Sequence, residues 1–227
     1  MLDAIVPRGV FVAESFGAAG EQAPLFPAEE AAIVGAAAKR RAEFAAVRAC
    51  ARRALTSPGF EPGPVPRGPT GAPVWPADVV GSMTHCEGYR ACAIGSSEAF
   101  AAIGIDAEPH QPLPAEVLPM VASEQERVAL AVLAAEARGA CWAKVLFSAK
   151  EAVFKAWSTL SGRWLGFADA ELTLDPGGTF AAQVPVSAGP AGGGRVIAYR
   201  GRWIIGDGLI VTAAVVPAAA RVSHPSR

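Results

Sequence analysis

The sequence lacks both a long apolar segment and an excess of charge of either sign. Its 227 residues include 20 Lys and Arg against 21 Asp and Glu, for a net charge of −1. A chain so close to neutrality does not attract nucleic acid as a whole, so any anion site must be built locally. No uncharged apolar run reaches the ~18 residues of a membrane span, and the N-terminus lacks the basic start and apolar block of a signal peptide. These absences predict a cytoplasmic protein that binds neither nucleic acid nor membranes.

Cysteine and histidine are scarce, and several common site motifs are missing. The four cysteines show no Cys-x-x-Cys spacing, and only three histidines accompany them. A zinc site is therefore not expected, and isolated buried thiols are the ordinary interpretation. The absence of a Walker loop, of Gly-x-Gly-x-x-Gly and of a Gly-x-Ser-x-Gly elbow excludes the nucleotide-binding and hydrolase chemistries that those motifs serve.

Apolar periodicity and turn signals predict an α+β protein made of two portions, each with a principal helix and a small antiparallel sheet. Residues 58–78 are rich in Pro and Gly and are interpreted as an ordered loop anchored by Val74-Trp75; residues 217–227 are predicted to fray. The predicted helices are 27–57, 123–138 and 141–160, and the predicted strands are 9–14, 79–84, 89–95, 101–107, 170–174, 179–184, 196–205 and 209–216.

The helix at 141–160 has one apolar stripe and one polar face. The polar face carries Glu151 and Lys155, one turn apart, and the ordinary explanation is a surface helix with an i,i+4 ion pair worth ~0.3–0.5 kcal/mol. The stripe comprises Trp142, Val145, Leu146, Ala149, Val153 and Ala156, and the polar face comprises Lys144, Ser148, Glu151 and Lys155.

A second feature is the pair of carboxylates in Ile103-Gly-Ile-Asp-Ala-Glu108. Alternate residues of a strand share a face, so Asp106 and Glu108 point the same way. Two carboxylates in an apolar strand are costly unless a cation compensates them, and Mg²⁺ prefers such oxygen ligands. The alternative is a strand end that emerges into solvent before Pro109.

Two further features carry positive or titratable charge. His85 follows Thr84 at the end of a predicted strand, where it could bind phosphate, act as a base or be purely structural. The helix at 27–57 is basic in its second half, which indicates either a solvated surface or an anion-binding face; the basic residues are Lys39, Arg40, Arg41, Arg48, Arg52 and Arg53. With the carboxylates, these features suggest Mg²⁺-assisted chemistry on a phosphorylated substrate.

Three motifs in series resemble the 4′-phosphopantetheinyl transferases of the Sfp/EntD type, and most of all their PptT-like actinobacterial branch. They are the His85 turn, the Gly-Ile-Asp-Ala-Glu strand and the helix segment Phe-Ser-Ala-Lys-Glu-Ala-x-x-Lys-Ala-Trp that ends at Trp157. The resemblance extends over roughly residues 39–216. It implies two similar α+β halves related by a pseudo-twofold, at residues 1–104 and 105–227, with the active-site cleft between them. It also implies a monomer.

The resemblance further implies that the protein transfers 4′-phosphopantetheine from coenzyme A to a serine of an apo carrier protein and releases 3′,5′-ADP. Asp106, Glu108 and Glu151 would hold Mg²⁺, Glu151 would also accept the serine proton, and Lys155 would balance charge on the phosphates. The other implied coenzyme A contacts are Thr84 and His85 on its phosphates, and Arg40, Arg48 and Arg67 at its 3′-phosphate end.

The carrier would belong to a fatty-acid, polyketide or nonribosomal peptide synthase, and residues 113–121 are the candidate carrier-facing segment or else part of the core. The rival interpretations are a coenzyme A- or carrier-binding protein without catalysis and a Mg²⁺-dependent phosphohydrolase.

Overall fold

The computed structural model describes residues 1–17, 24–186 and 195–218, so most of the predicted frayed tail lies outside the described residues. No helix in these ranges is long and apolar enough to cross a membrane. The helices are α1 (Pro27–Glu30), α2 (Ala38–Thr56), α3 (Leu118–Val121), α4 (Glu124–Glu136) and α5 (Trp142–Ser161). The strands are β1 (Phe11–Phe16), β2 (Val79–Cys86), β3 (Tyr89–Ser96), β4 (Phe100–Pro109), β5 (Glu171–Asp175), β6 (Thr179–Val186), β7 (Arg195–Gly206) and β8 (Leu209–Pro217).

The strands form two antiparallel sheets, which confirms the predicted α+β class. The smaller sheet has the order β1-β3-β2, and the larger has the order β4-β8-β7-β6-β5. Helix α2 packs mainly on β3 and β1, and α5 packs on β4 and β8. The predicted hairpin between β7 and β8 is confirmed, with Asp207 and Gly208 both at positive φ, as a type I′ turn requires.

Helix α5 is the central helix of the larger core, and its predicted apolar stripe is buried throughout. Gly104 of β4 allows this close packing, because a Cβ atom there would collide with the backbone oxygen of Ala152. The polar face departs from the prediction at Ser148, which is fully buried and shares a 3.0 Å hydrogen bond with Thr212 of β8. A hydroxyl can be buried at low cost when it finds such a partner.

The predicted continuous helix at 27–57 is wrong at its start. The chain forms the short α1 and a 3₁₀ turn (Ala31–Ile33), and α2 begins only at Ala38. Between them Gly35 adopts a φ of 77°, a left-handed conformation that interrupts a right-handed helix.

The connector at 58–78 is ordered, but its anchors differ from those predicted. Trp75 is an anchor, since its Nε1 donates to the Gly81 carbonyl at 2.9 Å. Val74 is 49% exposed, so its prediction as an anchor is wrong, and the fully buried Val65 takes that place.

The two sheets meet along β2 and β4, where side-chain hydroxyls replace a backbone ladder. Ser82 Oγ accepts from the Ile105 N–H at 3.1 Å, and Thr84 Oγ1 accepts from the Ala107 N–H at 3.1 Å. The predicted boundary between residues 104 and 105 falls inside β4, all of which belongs to the larger sheet. The pseudo-twofold relation between the halves stays a prediction.

A buried ion pair fixes α4 against α5. Lys150 Nζ donates to Glu126 Oε2 at 2.7 Å, and the two side chains are 2% and 1% exposed. The predicted capping box is confirmed, because Ser123 Oγ accepts from the Glu126 N–H and the Glu126 carboxylate accepts from the Ser123 N–H. Lys150 also donates to the carbonyls of Val121 and Phe167, so one ammonium group joins α3, α4 and the segment after α5.

The substitution Glu126→Gln should lower the free energy of unfolding by ~3–5 kcal/mol, because it leaves the Lys150 ammonium buried without its counter-charge. Urea denaturation followed by circular dichroism measures this loss. The control Glu124→Gln removes an exposed carboxylate from the same helix and should cost under ~1 kcal/mol. Equal losses in the two variants would contradict the assignment of the pair as a structural tie.

Candidate active site

A cleft of about 320 Å³ lies where α2, the connector, β2 and α5 converge. Of the predicted coenzyme A contacts, it brings together five: Arg40, Arg48, Arg67, His85 and Lys155. The other lining residues are Glu43, Phe44, Val47, Thr70, Gly71, Ala72, Pro73, Gly81, Ser82, Met83, Phe154, Ser158, Thr159 and Trp164. A concave site with converging cations in a nearly neutral protein has the charge that a locally built anion site requires.

Arg40 and His85 form the polar end of this cleft. Arg40 Nη1 lies 3.3 Å from His85 Nε2, and Glu43 Oε2 lies 3.6 Å from the same nitrogen. Burial and the neighbouring Arg40 lower the pKa of His85 below its ordinary value, and Glu43 opposes the shift. At neutral pH the free protein therefore presents a neutral imidazole beside the Arg40 guanidinium.

Arg48 is the buried member of the arginine set. Its guanidinium lies 3.5 Å from the centroid of the Phe44 ring, and its Nε donates to the Val65 carbonyl at 3.3 Å. Burial lowers its pKa to about 10, with Glu29 acting in the opposite direction. Arg48 thus stays protonated at neutral pH and brings a fixed positive charge to the cleft wall.

Arg67 lies on a tight turn of the connector. The turn is closed by a bridge between Arg67 and Pro73 and by a bond from the Val74 N–H to the Pro66 carbonyl at 2.9 Å. Gly71 has a φ of +87°, and a Cβ atom there would lie 3.0 Å from Arg67 Nη2. Glycine at this position allows both the turn and the seating of the guanidinium against it.

Asp106 is the most buried of the predicted metal ligands, at 6% exposure. Its Oδ1 accepts from Lys155 Nζ at 2.8 Å and from Thr84 Oγ1 at 3.2 Å. Lys155 therefore joins α5 to β4, and does not form the i,i+4 pair with Glu151 that a surface helix would have. Thr84 points toward the carboxylates and does not line the cleft, so its hydroxyl is placed to orient Asp106.

Glu108 and Glu151 share the electrostatic field of Asp106. Burial raises the pKa of Glu108, Asp106 adds to the shift, and Lys144 opposes it from 3.1 Å. Burial also raises the pKa of Glu151, where Lys155 opposes the shift while Asp106 and Glu108 add to it. The charges of the three carboxylates on β4 and α5 thus act on one another.

The donor chemistry of these carboxylates suits a hard divalent cation. The buried Asp106 Oδ2 has no hydrogen-bond partner in the described part of the chain, which leaves one carboxylate oxygen open to a cation. Within the described residues, however, no three His, Cys, Asp or Glu side chains are grouped so that they could hold a metal ion. Ala107, between Asp106 and Glu108, is buried in the apolar core on the other face of β4, so it faces away from these carboxylates.

A second, smaller pocket of about 120 Å³ opens beside Glu151. It is lined in part by Phe154 and by Trp164, which is 82% exposed and packs edge-on against Phe154 at 4.8 Å between centroids. In the predicted carrier-facing segment, Met120 is 74% exposed while Val121 is 2% exposed, so that segment is part surface and part core.

Two charged residues of the site, Lys144 and Glu43, were not predicted from the sequence. Lys144 lies two helical turns before Glu151 on the polar face already identified, so that spacing was the signal for it. Glu43, which is close to His85, lies one turn after Arg40, but nothing in the sequence indicates that the two elements meet.

Comparisons with known proteins show the family of this chain. The family model described as 4′-phosphopantetheinyl transferase N-terminal domain matches residues 28–95, and that of the 4′-phosphopantetheinyl transferase superfamily matches residues 102–203. The boundary between the two matches falls at the turn between β3 and β4, where the two sheets divide.

Three curated relatives are similar over most of their length. The 4′-phosphopantetheinyl transferase Svp of Streptomyces mobaraensis is 47% identical over 229 residues, covering 100% of this chain and 93% of Svp. Npt of Nocardia iowensis is 42% identical, covering 94% of this chain and 98% of Npt. PptT of Mycobacterium tuberculosis is 41% identical, covering 84% of this chain and 85% of PptT. The chain belongs to the 4′-phosphopantetheinyl transferase superfamily.

In the free protein, His85 should titrate with a midpoint below 6.5, because burial and Arg40 both disfavour the imidazolium ion. Arg40→Gln should move the midpoint upward, since it removes the largest charge effect. Two-dimensional NMR of the imidazole C–H groups measures both midpoints, and His85→Gln assigns the resonance. A wild-type midpoint at or above 6.5, or no movement in Arg40→Gln, would contradict the described contact.

Proposed function

We propose that this 4′-phosphopantetheinyl transferase uses Mg²⁺ held by Asp106, Glu108 and Glu151 to transfer phosphopantetheine from coenzyme A to a carrier-protein serine. The observation that carries the proposal is the set of three carboxylates whose charges act on one another, with Lys144 bound to Glu108 and with Lys155 bound to Asp106 while it also lines the arginine-lined cleft. The products are the holo carrier protein and 3′,5′-ADP. The accepting carriers are those of fatty-acid, polyketide or nonribosomal peptide synthases.

Coenzyme A binds, in this proposal, with its 3′-phosphate end among Arg40, Arg48 and Arg67. Guanidinium groups bind phosphate oxygens through charge-assisted and often paired hydrogen bonds, which suits them to this end of the molecule. His85 lies next to Arg40 and contacts a phosphate of coenzyme A. The neutral imidazole of the free protein would gain a proton more readily once phosphate is bound, because the added negative charge favours the imidazolium.

Asp106, Glu108 and Glu151 would hold the metal, which when bound would supply positive charge against the pyrophosphate of coenzyme A. Asp106 would offer the metal its Oδ2, which has no hydrogen-bond partner among the described residues, while Thr84 and Lys155 hold its other oxygen. Lys155 stands at the boundary between the carboxylates and the cleft, where its ammonium compensates negative charge on the phosphates. Lys144 compensates the negative charge of Glu108 in the free protein.

Glu151 is the proposed general base. It accepts the proton of the serine hydroxyl, directly or through a water, as the serine oxygen bonds to the phosphorus that carries the pantetheine. The P–O bond to the departing 3′,5′-ADP breaks in the same transfer. A raised pKa brings a carboxylate closer to the pH at which it must accept a proton, and a positioned base of this kind contributes ~10²–10⁴-fold to rate.

A non-catalytic coenzyme A- or carrier-binding protein is the alternative, and it is not favoured. Such a protein would have no use for the buried Asp106 with its open oxygen, nor for Glu151 beside a pocket. A phosphohydrolase is disfavoured by family membership and would release phosphate without any acceptor protein.

Intact-mass spectrometry tests the proposed reaction. An apo carrier protein from each synthase type is incubated with coenzyme A, Mg²⁺ and the enzyme, and at least one should gain the mass of a single phosphopantetheine. Excess EDTA should abolish the gain, and renewed Mg²⁺ should restore it. No gain with any carrier while coenzyme A still binds would contradict the proposed function, and a gain that EDTA leaves intact would contradict the metal assignment.

Asp106→Ala and Glu151→Ala should abolish transfer, with at least a ~10²-fold loss of rate, while circular dichroism stays native. The control Glu136→Ala removes an exposed carboxylate at the end of α4 and should leave the rate unchanged. Wild-type turnover by either site variant would remove that residue from the mechanism.

A further inference from the structure

Glu29 is a fully buried carboxylate that lies outside the cleft, on α1. Its Oε1 accepts from the Val65 N–H at 2.9 Å, and its Oε2 accepts from Arg52 Nη1 at 3.1 Å and from the Phe26 N–H at 3.0 Å. An ionised carboxylate is costly to bury unless such donors surround it, so the three donors and Glu29 fix one another's positions.

Val65 is the fixed point of the connector. Residues 64 and 66 are prolines and have no amide N–H, so Val65 supplies the only backbone donor of this tripeptide. Its N–H binds Glu29, its carbonyl accepts from Arg48 Nε at 3.3 Å, and its side chain is fully buried. The backbone is therefore held from both sides at a single residue.

Two cleft arginines depend on this residue. Arg48 is oriented by its bond to the Val65 carbonyl. Arg67 follows two residues later, on the turn that begins at Pro66, whose carbonyl accepts from the Val74 N–H. Loss of the bond between Glu29 and Val65 would free the start of this turn and the acceptor of Arg48 together.

We infer that Glu29 is a positioning residue for recognition of the 3′-phosphate of coenzyme A, because its bond to Val65 sets Arg48 and the turn that carries Arg67. The inference rests on the proposed function only in assigning the 3′-phosphate to these arginines. Glu29 itself does not line the cleft and does not touch the substrate.

The test compares binding of adenosine 3′,5′-bisphosphate and adenosine 5′-monophosphate by isothermal titration calorimetry. The wild type should prefer the bisphosphate. Glu29→Gln should weaken bisphosphate binding about tenfold, as expected when one charge-assisted phosphate contact is loosened. Its binding of the monophosphate should change less than about twofold, because the displaced arginines face the 3′-phosphate alone. Weaker binding of both nucleotides to the same extent, or of neither, would overturn the inference.

Glu14→Gln is the matched control. Like Glu29, Glu14 lies outside the cleft and accepts a backbone N–H, from Leu2, and a side-chain donor, the O–H of Tyr89, but it does not bind the connector. This variant should keep the wild-type ratio of the two affinities even if its stability falls. If Glu29→Gln does not fold, Glu29→Asp keeps the charge but shortens the reach to Val65, and it should lose the same selectivity.

A double variant tests whether Glu29 acts through the turn that carries Arg67 or only by loosening the protein as a whole. In an Arg67→Ala background, Glu29→Gln should weaken bisphosphate binding by a clearly smaller factor than in the wild type, because the two residues act through one turn. Fully multiplicative effects would overturn the inference. If the protein prefers the bisphosphate but transfers nothing to any carrier protein, the proposed function is contradicted. The inference about Glu29 is not.

Discussion

The buried carboxylate of Asp106 is the constraint on which the arrangement of the site depends. Its side chain lies on an apolar strand and is only 6% exposed, and a carboxylate is costly to bury unless hydrogen-bond donors or cations surround it. Lys155 reaches it only because α5 lies directly on β4, and that contact requires Gly104. Thr84 reaches it only because β2 runs beside β4, where the Thr84 hydroxyl also accepts from the backbone N–H of Ala107. One side chain thus joins elements of both sheets.

The charge distribution explains how a protein with a net charge of −1 can bind a highly anionic substrate. The arginines of α2 and the connector concentrate positive charge in a half-enclosed cleft, and Arg48 keeps its proton although burial lowers its pKa to about 10. The carboxylates lie outside this cleft, where Lys144 contacts Glu108 and where Lys155, which also lines the cleft, contacts Asp106. Phosphate and metal would then meet where the two sets of charge adjoin.

Much of the fold could be predicted from the sequence where local signals decide it. The apolar stripe of α5, the Ser123 capping box and the Asp207-Gly208 turn depend on residues a few positions apart, and all three are confirmed. The pair Asp106 and Glu108 could likewise be placed on one face of a strand by alternation alone. The motifs that carry the family resemblance are of this local kind.

Other features could not be predicted, because distant partners decide them. The partner of Lys155 is Asp106, 49 residues away in sequence, and local spacing pointed to Glu151. Val65 is buried, and its N–H binds Glu29, 36 residues earlier, whereas the sequence pointed to Val74-Trp75 as the anchor of the connector. The break before α2 depends on a left-handed Gly35, and a single glycine within a helical pattern does not reveal its backbone angle.

The most direct test of the central claim is metal binding at Asp106, measured without turnover. Mn²⁺ serves as a paramagnetic probe, and electron paramagnetic resonance counts bound ions in the presence of coenzyme A but without a carrier protein. The wild type should bind one Mn²⁺ per chain, displaceable by Mg²⁺, and Asp106→Asn should bind at least ~10-fold more weakly while still binding coenzyme A. Equal Mn²⁺ affinity in the two proteins would contradict the account.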